Sequence, residues 1–227
     1  MLLGLALAHA VDDAPLGRVL AACVANGKVD YACVRDRPGD LGSWLAGVAG
    51  PLPSAGLGVW IDVYNALVLD QLATAPLPRR VTDLAGFFDK RYHPVDGRRV
   101  TLNELEGELR TKFADPRLHF ALNCGARSCP PLQATPWPDD AAALEAALEL
   151  ATRRFLDGPG AIVDDSRKTL FLSKLFDWYA KDFAAAGGAV AFVRGHAGPT
   201  KAAQVERAVA GGYTVKFLPY DWTPNSR

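Results

Sequence analysis

The strongest apolar pattern in the chain runs from Trp60 to Ala73. Ile61, Tyr64, Val68 and Leu72 share one helical face, and Trp60, Val63 and Leu67 an adjoining one. A helix apolar over so wide an arc is buried. Asp62, Asn65 and Asp70 interrupt it, and a buried polar group without a hydrogen-bond partner costs about 1–3 kcal/mol. Asn65 is therefore expected either to tie this helix to a neighbouring loop or, with Tyr64, to line a site. Narrower helical stripes recur along the chain. Leu16 to Val24 carries Val19, Leu20 and Cys23, with Asn26-Gly27 as its stop. Leu102, Leu105 and Leu109 follow a capping box formed by Thr101 and Glu104. Ala141 to Leu156 carries Leu144, Leu148, Ala151 and Phe155, and Ser173 caps an expected helix from Lys174 to Ala184. Helices are also expected over 189–193 and 202–209.

A period of two marks strands. It predicts short strands near 118–123, 168–172 and 213–218, and a hairpin over 93–100 turning at Asp96-Gly97. The fold class is α+β: a small mixed or antiparallel sheet surrounded by helices. Regular single helices do not separate the strands, which argues against a parallel sheet. The polar tail from Thr223 to Arg227 is expected to be loose.

Composition narrows the function classes. The 227 residues suffice for one globular domain over 11–227, and 49% are hydrophobic. Lysines and arginines number 25, aspartates and glutamates 25. That balance argues against nucleic acid or an anionic membrane as partner. No run of about 20 apolar residues is present to form a transmembrane segment. The opening MLLGLALAHA fits the remnant of a signal peptide ending in Ala8-His9-Ala10. Export, to the periplasm or the extracellular space, would place the four cysteines in an oxidising compartment, with Cys23 and Cys33 as a candidate disulfide.

Most of the chemistry is concentrated between Asp115 and Leu132. If 118–123 is a strand, Leu118, Phe120 and Leu122 form an apolar face, and His119 and Asn123 point the other way. The chain then enters Cys124-Gly125-Ala126-Arg127-Ser128-Cys129-Pro130-Pro131. Three readings of the thiols stand open. One cysteine is a nucleophile, its thiolate favoured by His119 or Arg127. The thiols form a disulfide, with each other or with another cysteine. Or they bind metal, although no second close cysteine pair supplies zinc-ribbon spacing. Upstream, Glu106 is placed either to pair with Arg110 or to orient His119. Phe87 to Pro94 reads as a lid over a pocket or as an aromatic anchor.

HFALNCGARSCPPL (119–132), WIDVYNAL (60–67), VTLNELEGELR (100–110) and LSKLFDWYAKDF (172–183) together resemble the domain-of-unknown-function 547 family. VDYACV (29–34) resembles the block that precedes them, so the family-like core spans about 29–183. The chain departs from the family pattern at Asp62, where asparagine is usual, and at Gly107, where histidine is common. The resemblance implies no established activity.

Two functions follow from the residues. In the first, a thiol-dependent hydrolase or transferase uses Cys124 as nucleophile and His119 as base. Asn65 or Asn123 orients the base or stabilises an oxyanion. Arg127 or Arg117 binds an acidic group of a small-molecule or peptide substrate, Tyr64 lines the site, and Trp178 floors it. Cys124 is expected to matter more than Cys129, and Gly125 to leave room for a substrate. In the second, the protein is a binding or accessory module, and Cys124 and Cys129 form a structural disulfide. No cofactor motif or metal-ligand set is read for either function.

Overall fold

A computed structural model of the chain describes residues 11–74 and 76–227. The leader-like MLLGLALAHA lies outside the described residues. The core is built on helix α4, Leu57–Thr74. From Leu57 to Ala73 every residue except Asp70 is buried, as its wide apolar arc requires. The preceding elements pack around it. They are α1 (Ala14–Cys23), the hairpin β1 (Val24–Ala25) and β2 (Lys28–Val29), α2 (Tyr31–Arg35) and α3 (Pro38–Ala49). Asp30 caps α2 by accepting from the Cys33 amide at 3.0 Å, which brings Cys33 to Cys23; the two form a disulfide with Cα atoms 5.5 Å apart.

The chain after α4 continues with a hairpin that packs on α3 and a helix that packs on α4. Strands β3 (His93–Val95) and β4 (Arg98–Val100) pair antiparallel, and Asp96 and Gly97 both take positive φ, 52° and 71°. That is the geometry of a two-residue hairpin turn. Helix α5 (Leu102–Phe113) opens on the expected capping box, with Thr101 Oγ1 accepting from the Glu104 amide at 3.2 Å. Helix α6 (Ala141–Phe155) leads into β5 (Ala161–Asp164), β6 (Thr169–Leu172) and the one-turn helix α7 (Leu175–Trp178). Helices α8 (Ala189–His196) and α9 (Pro199–Ala210) and strand β7 (Thr214–Phe217) complete the elements. Strand β6 pairs antiparallel with β5 and parallel with β7, a mixed three-stranded sheet as expected. A second apolar cluster beneath it contains Phe120, Phe155, Phe176, Phe183 and Phe192.

Three local expectations are corrected. Residues 118–123 are not a strand. Pro116–Phe120 forms a 3-10 helix, with Asp115 Oδ1 accepting from the Arg117 amide at 2.9 Å and Pro116 in the first turn. All six residues from Leu118 to Asn123 are buried, so the alternation of polar and apolar types does not mark an exposed and a buried face. The expected helix from Lys174 to Ala184 is α-helical only over α7 and resumes as a 3-10 turn at Ala184–Ala186; Tyr179 and Asp182, between the two, meet tertiary partners described below. The tail is not loose. The Asn225 amide donates to Gly125 O at 2.8 Å, its carbonyl accepts from the Val29 amide at 3.1 Å, and Tyr31 Oη donates to its Oδ1 at 2.6 Å.

Candidate functional site

The turn at 121–125 is fastened to α4 through Asn65. Its Oδ1 accepts from the Asn123 amide at 2.8 Å, and its Nδ2 donates to Ala121 O at 3.1 Å. Asn65 is thus a tie, as one of its two readings held. Asn123 is equally committed: its Nδ2 donates to Pro130 O at 2.6 Å, and its Oδ1 accepts from the Gly125 amide at 2.9 Å and from Asn225 Nδ2 at 3.2 Å. Both side chains are buried, and both shape the cysteine loop. Gly125 has φ +80°, and a Cβ there would run into Leu72. Glycine is needed for the turn and for close packing on α4, not to admit a substrate.

Cys124 and Cys129 form a disulfide with Cα atoms 6.0 Å apart. No described cysteine is free, and no described group of three or more histidine, cysteine or acidic side chains is arranged to hold a metal ion. The Cys129 sulfur accepts from the Cys124 amide at 3.1 Å and from Tyr220 Oη at 3.1 Å; the same hydroxyl lies 3.2 Å from Cys124 Sγ. Tyr220 reaches the bridge because the C-terminal segment pairs with the loop. Arg127 N donates to Thr223 O at 2.8 Å, and Ser128 N to Asp221 O at 3.2 Å.

The disulfide forms part of the wall of a cavity of about 200 Å³. Tyr64 from α4 and Glu106 and Asn103 from α5 contribute one side. Trp178 and Tyr179 from the α7 region, with Tyr220 and Trp222, contribute an aromatic side. The ring centroids of Trp178 and Tyr220, and of Tyr220 and Trp222, are 4.7 Å apart. Phe88 also lines the cavity while Phe87 is buried, so the aromatic stretch before His93 is anchor and wall at once. Trp178 is 44% exposed and stands at the rim rather than the floor.

His119 lines the same cavity, but its partner is Asp182, not Glu106. Its Nε2 lies 2.8 Å from Asp182 Oδ2, and its ring stacks on Tyr179 with centroids 4.0 Å apart. A carboxylate only accepts, so Nε2 carries the proton and Nδ1 keeps its lone pair. Burial pushes the imidazole pKa down to about 4, outweighing the opposing pull of Asp182. Arg110 donates to Asp182 from Nε at 2.6 Å and from Nη2 at 3.0 Å, which holds that carboxyl below its usual range. Arg110 is therefore committed to Asp182 rather than to Glu106. Burial raises the Glu106 pKa, while hydrogen bonds from Tyr179 and Tyr64 and the charge of Arg110 oppose the rise.

The remaining candidates lie elsewhere. Arg117 pairs with Asp115 at 2.7 Å and with Glu145 at 2.5 Å, and Arg127 is exposed; neither lines the cavity. Tyr220, Trp222 and Asp182 escaped the sequence reading. Their signal is weak: two aromatic residues near the C-terminus, and one carboxylate on the mixed face of an expected helix.

No curated protein and no solved structure matches the chain. Residues 54–156 match a family model described as protein of unknown function, DUF547. The match covers α4, α5 and the disulfide loop, whereas Trp178, Tyr179, Tyr220 and Trp222 lie beyond it. Over residues 54–156 the chain is similar to the DUF547 family, in keeping with the blocks at 60–67, 100–110 and 119–132.

Proposed function

We propose that the cavity is a binding site for a small organic molecule bearing a ring or another flat apolar group, and that the Cys124–Cys129 disulfide holds part of its wall. The observation that carries this reading is the convergence of six aromatic side chains and one carboxyl on a single cavity. Apolar walls with a few placed polar groups are the usual make-up of such sites. Tyr64 and Glu106 provide the polar end, Trp178 the rim, and Asn65 and Asn123 support the loop behind it. Two disulfides favour work outside the reducing cytosol, in keeping with export. A thermal-shift screen of small aromatic compounds tests the reading. A binder should raise the melting temperature of the native protein, and Trp178→Ala should weaken it about tenfold, near 1.4 kcal/mol. A binder unaffected by that change, or no binder at all, contradicts it.

A second reading is favoured by the two hydrogen bonds that converge on the Cys129 sulfur. Donors aimed at a sulfur stabilise its thiolate and make it a better leaving group. In thiol–disulfide exchange, a substrate thiolate would attack Cys124 Sγ, the Cys124–Cys129 bond would break, and the electron pair would remain on Cys129. In the reduced protein Cys124 would be the nucleophile, and His119, through Nδ1, a base in the same cavity. Incubation of Cys129→Ser with a small disulfide discriminates the readings. Rapid formation of a mixed disulfide at Cys124 near neutral pH supports exchange; reaction only near pH 8.5, the ordinary thiol range, removes it.

A further inference from the structure

We infer that the cavity selects an organic cation, an ammonium or amidinium group carried on an apolar body, with the positive charge beside Glu106. This rests on the reading of the cavity as a small-molecule site and names the ligand's charge. The argument begins from the ionic side chains that face the space. Among the described residues, Glu106 is the acidic one, and no described lysine or arginine lines the cavity. His119, which also lines the cavity, is neutral at neutral pH, since its pKa is about 4. Arg110 and Asp182 stand next to the wall but neutralise one another through two hydrogen bonds.

The partners of Glu106 point the same way. The Tyr64 and Tyr179 hydroxyls both act to lower the Glu106 pKa, and both are neutral phenols whose own pKa is raised by burial. The carboxylate therefore has donors, and the Arg110 charge that acts on it is hydrogen-bonded to Asp182 instead; a buried charge is costly unless paired. A ligand cation supplies the missing charge. The surrounding rings complete the site. Trp178, Tyr220 and Trp222 supply aromatic rings, whereas the Tyr179 ring is already engaged by His119 and by the Arg110 guanidinium 4.6 Å from its centroid; a cation over an aromatic face gains about 0.5–2 kcal/mol as water is excluded. The same arrangement rejects an anion, because a carboxylate or phosphate would meet Glu106 without a compensating positive group. The sequence-based expectation of an acidic substrate held by Arg117 or Arg127 has no support from these walls.

Three probes of one shape test the inference on the full chain: benzylammonium, benzyl alcohol and benzoate, titrated by calorimetry. Benzylammonium should bind about tenfold more tightly than benzyl alcohol, a difference near 1.4 kcal/mol, with benzoate weakest. In Glu106→Gln, which keeps an acceptor for both tyrosines, the first two should bind within about threefold of each other. The same preference should fade in the native protein as the pH drops through the raised pKa of Glu106, a check independent of any variant's folding. Equal affinities in the native protein, or a preference that survives both Glu106→Gln and acidification, overturn the cation and leave the pocket standing. Failure of all three probes to bind overturns both.

Discussion

Asn65 holds the backbone of Asn123: its Oδ1 accepts from that amide at 2.8 Å while its Nδ2 donates to Ala121 O at 3.1 Å. One side chain on the central helix thereby fixes the turn that carries Cys124 to the cavity. Replacing it with alanine strands two buried backbone groups, each at about 1–3 kcal/mol. Asn65→Ala should therefore lose about 2–5 kcal/mol in a denaturant titration and lose ligand binding with it. Asn65→Asp, which keeps only the acceptor, should lose about half as much. An unchanged midpoint for Asn65→Ala would mean that the turn stands without the tie.

Asp62 presents a titration whose sign is opposite to that of most carboxylates. It is buried at 2% exposure, accepts from the Trp137 amide at 2.8 Å, and has its pKa raised well above the ordinary value by burial. A raised folded pKa means the acid form is favoured by folding. The stability it contributes is present below the unfolded pKa near 3.8 and is lost as pH rises through the folded value. Asp62→Asn mimics the acid form and keeps the acceptor for Trp137. The variant should melt higher than the native protein at neutral pH, by about 2–4 °C for each kcal/mol recovered, and the gap should close towards pH 4. A gap independent of pH would refute the titration.

The two disulfides should separate in their effects. Cys23 and Cys33 join α1 to α2 and neither lines the cavity, so the double serine variant should lose about 2–4 kcal/mol while ligand affinity stays unchanged. The Cys124/Cys129 double serine variant should lose affinity as well, because both sulfurs line the cavity and both contact Tyr220. Equal ligand affinity in both variants would show that the second bridge does not shape the site.

Arg117 is a test of support from behind. Its side chain is 15% exposed and pairs with Asp115 and Glu145, the latter 64% exposed. The cost of Arg117→Ala should fall between the ~1 kcal/mol of an exposed pair and the ~3–5 kcal/mol of a buried one. Thermal melts should show the loss, and it should shrink in high salt for the Glu145 share. No loss would place both pairs among inconsequential surface contacts.

What could be read from the sequence was what local pattern encodes. The wide apolar arc of α4, the Thr101–Glu104 box and the Asp96-Gly97 turn all appear in the structure because neighbouring residues determine them. The Asp115–Leu132 stretch was recognised as chemical, yet its backbone was misread. Asp115 and Pro116 start a 3-10 turn, and buried polar residues counterfeit the alternation of a strand. The partner of His119 lies 63 positions away, and Tyr220 lies 91 positions from Cys129. No local period reports such contacts. Tyr220 and Trp222 were not expected in the site for the same reason: they reach it from far along the chain, through backbone pairing of 221–223 with the disulfide loop.

The indole N–H resonances of the five tryptophans test the central claim most directly. Trp178 and Trp222 line the cavity, whereas Trp44, Trp60 and Trp137 are buried elsewhere in the main core. On titration with a bound aromatic ammonium compound, the signals of Trp178 and Trp222 should shift in a saturable way and the other three should stay in place. Saturable shifts confined to Trp44, Trp60 or Trp137, with Trp178 and Trp222 unmoved, would contradict the assignment of this cavity as the functional site.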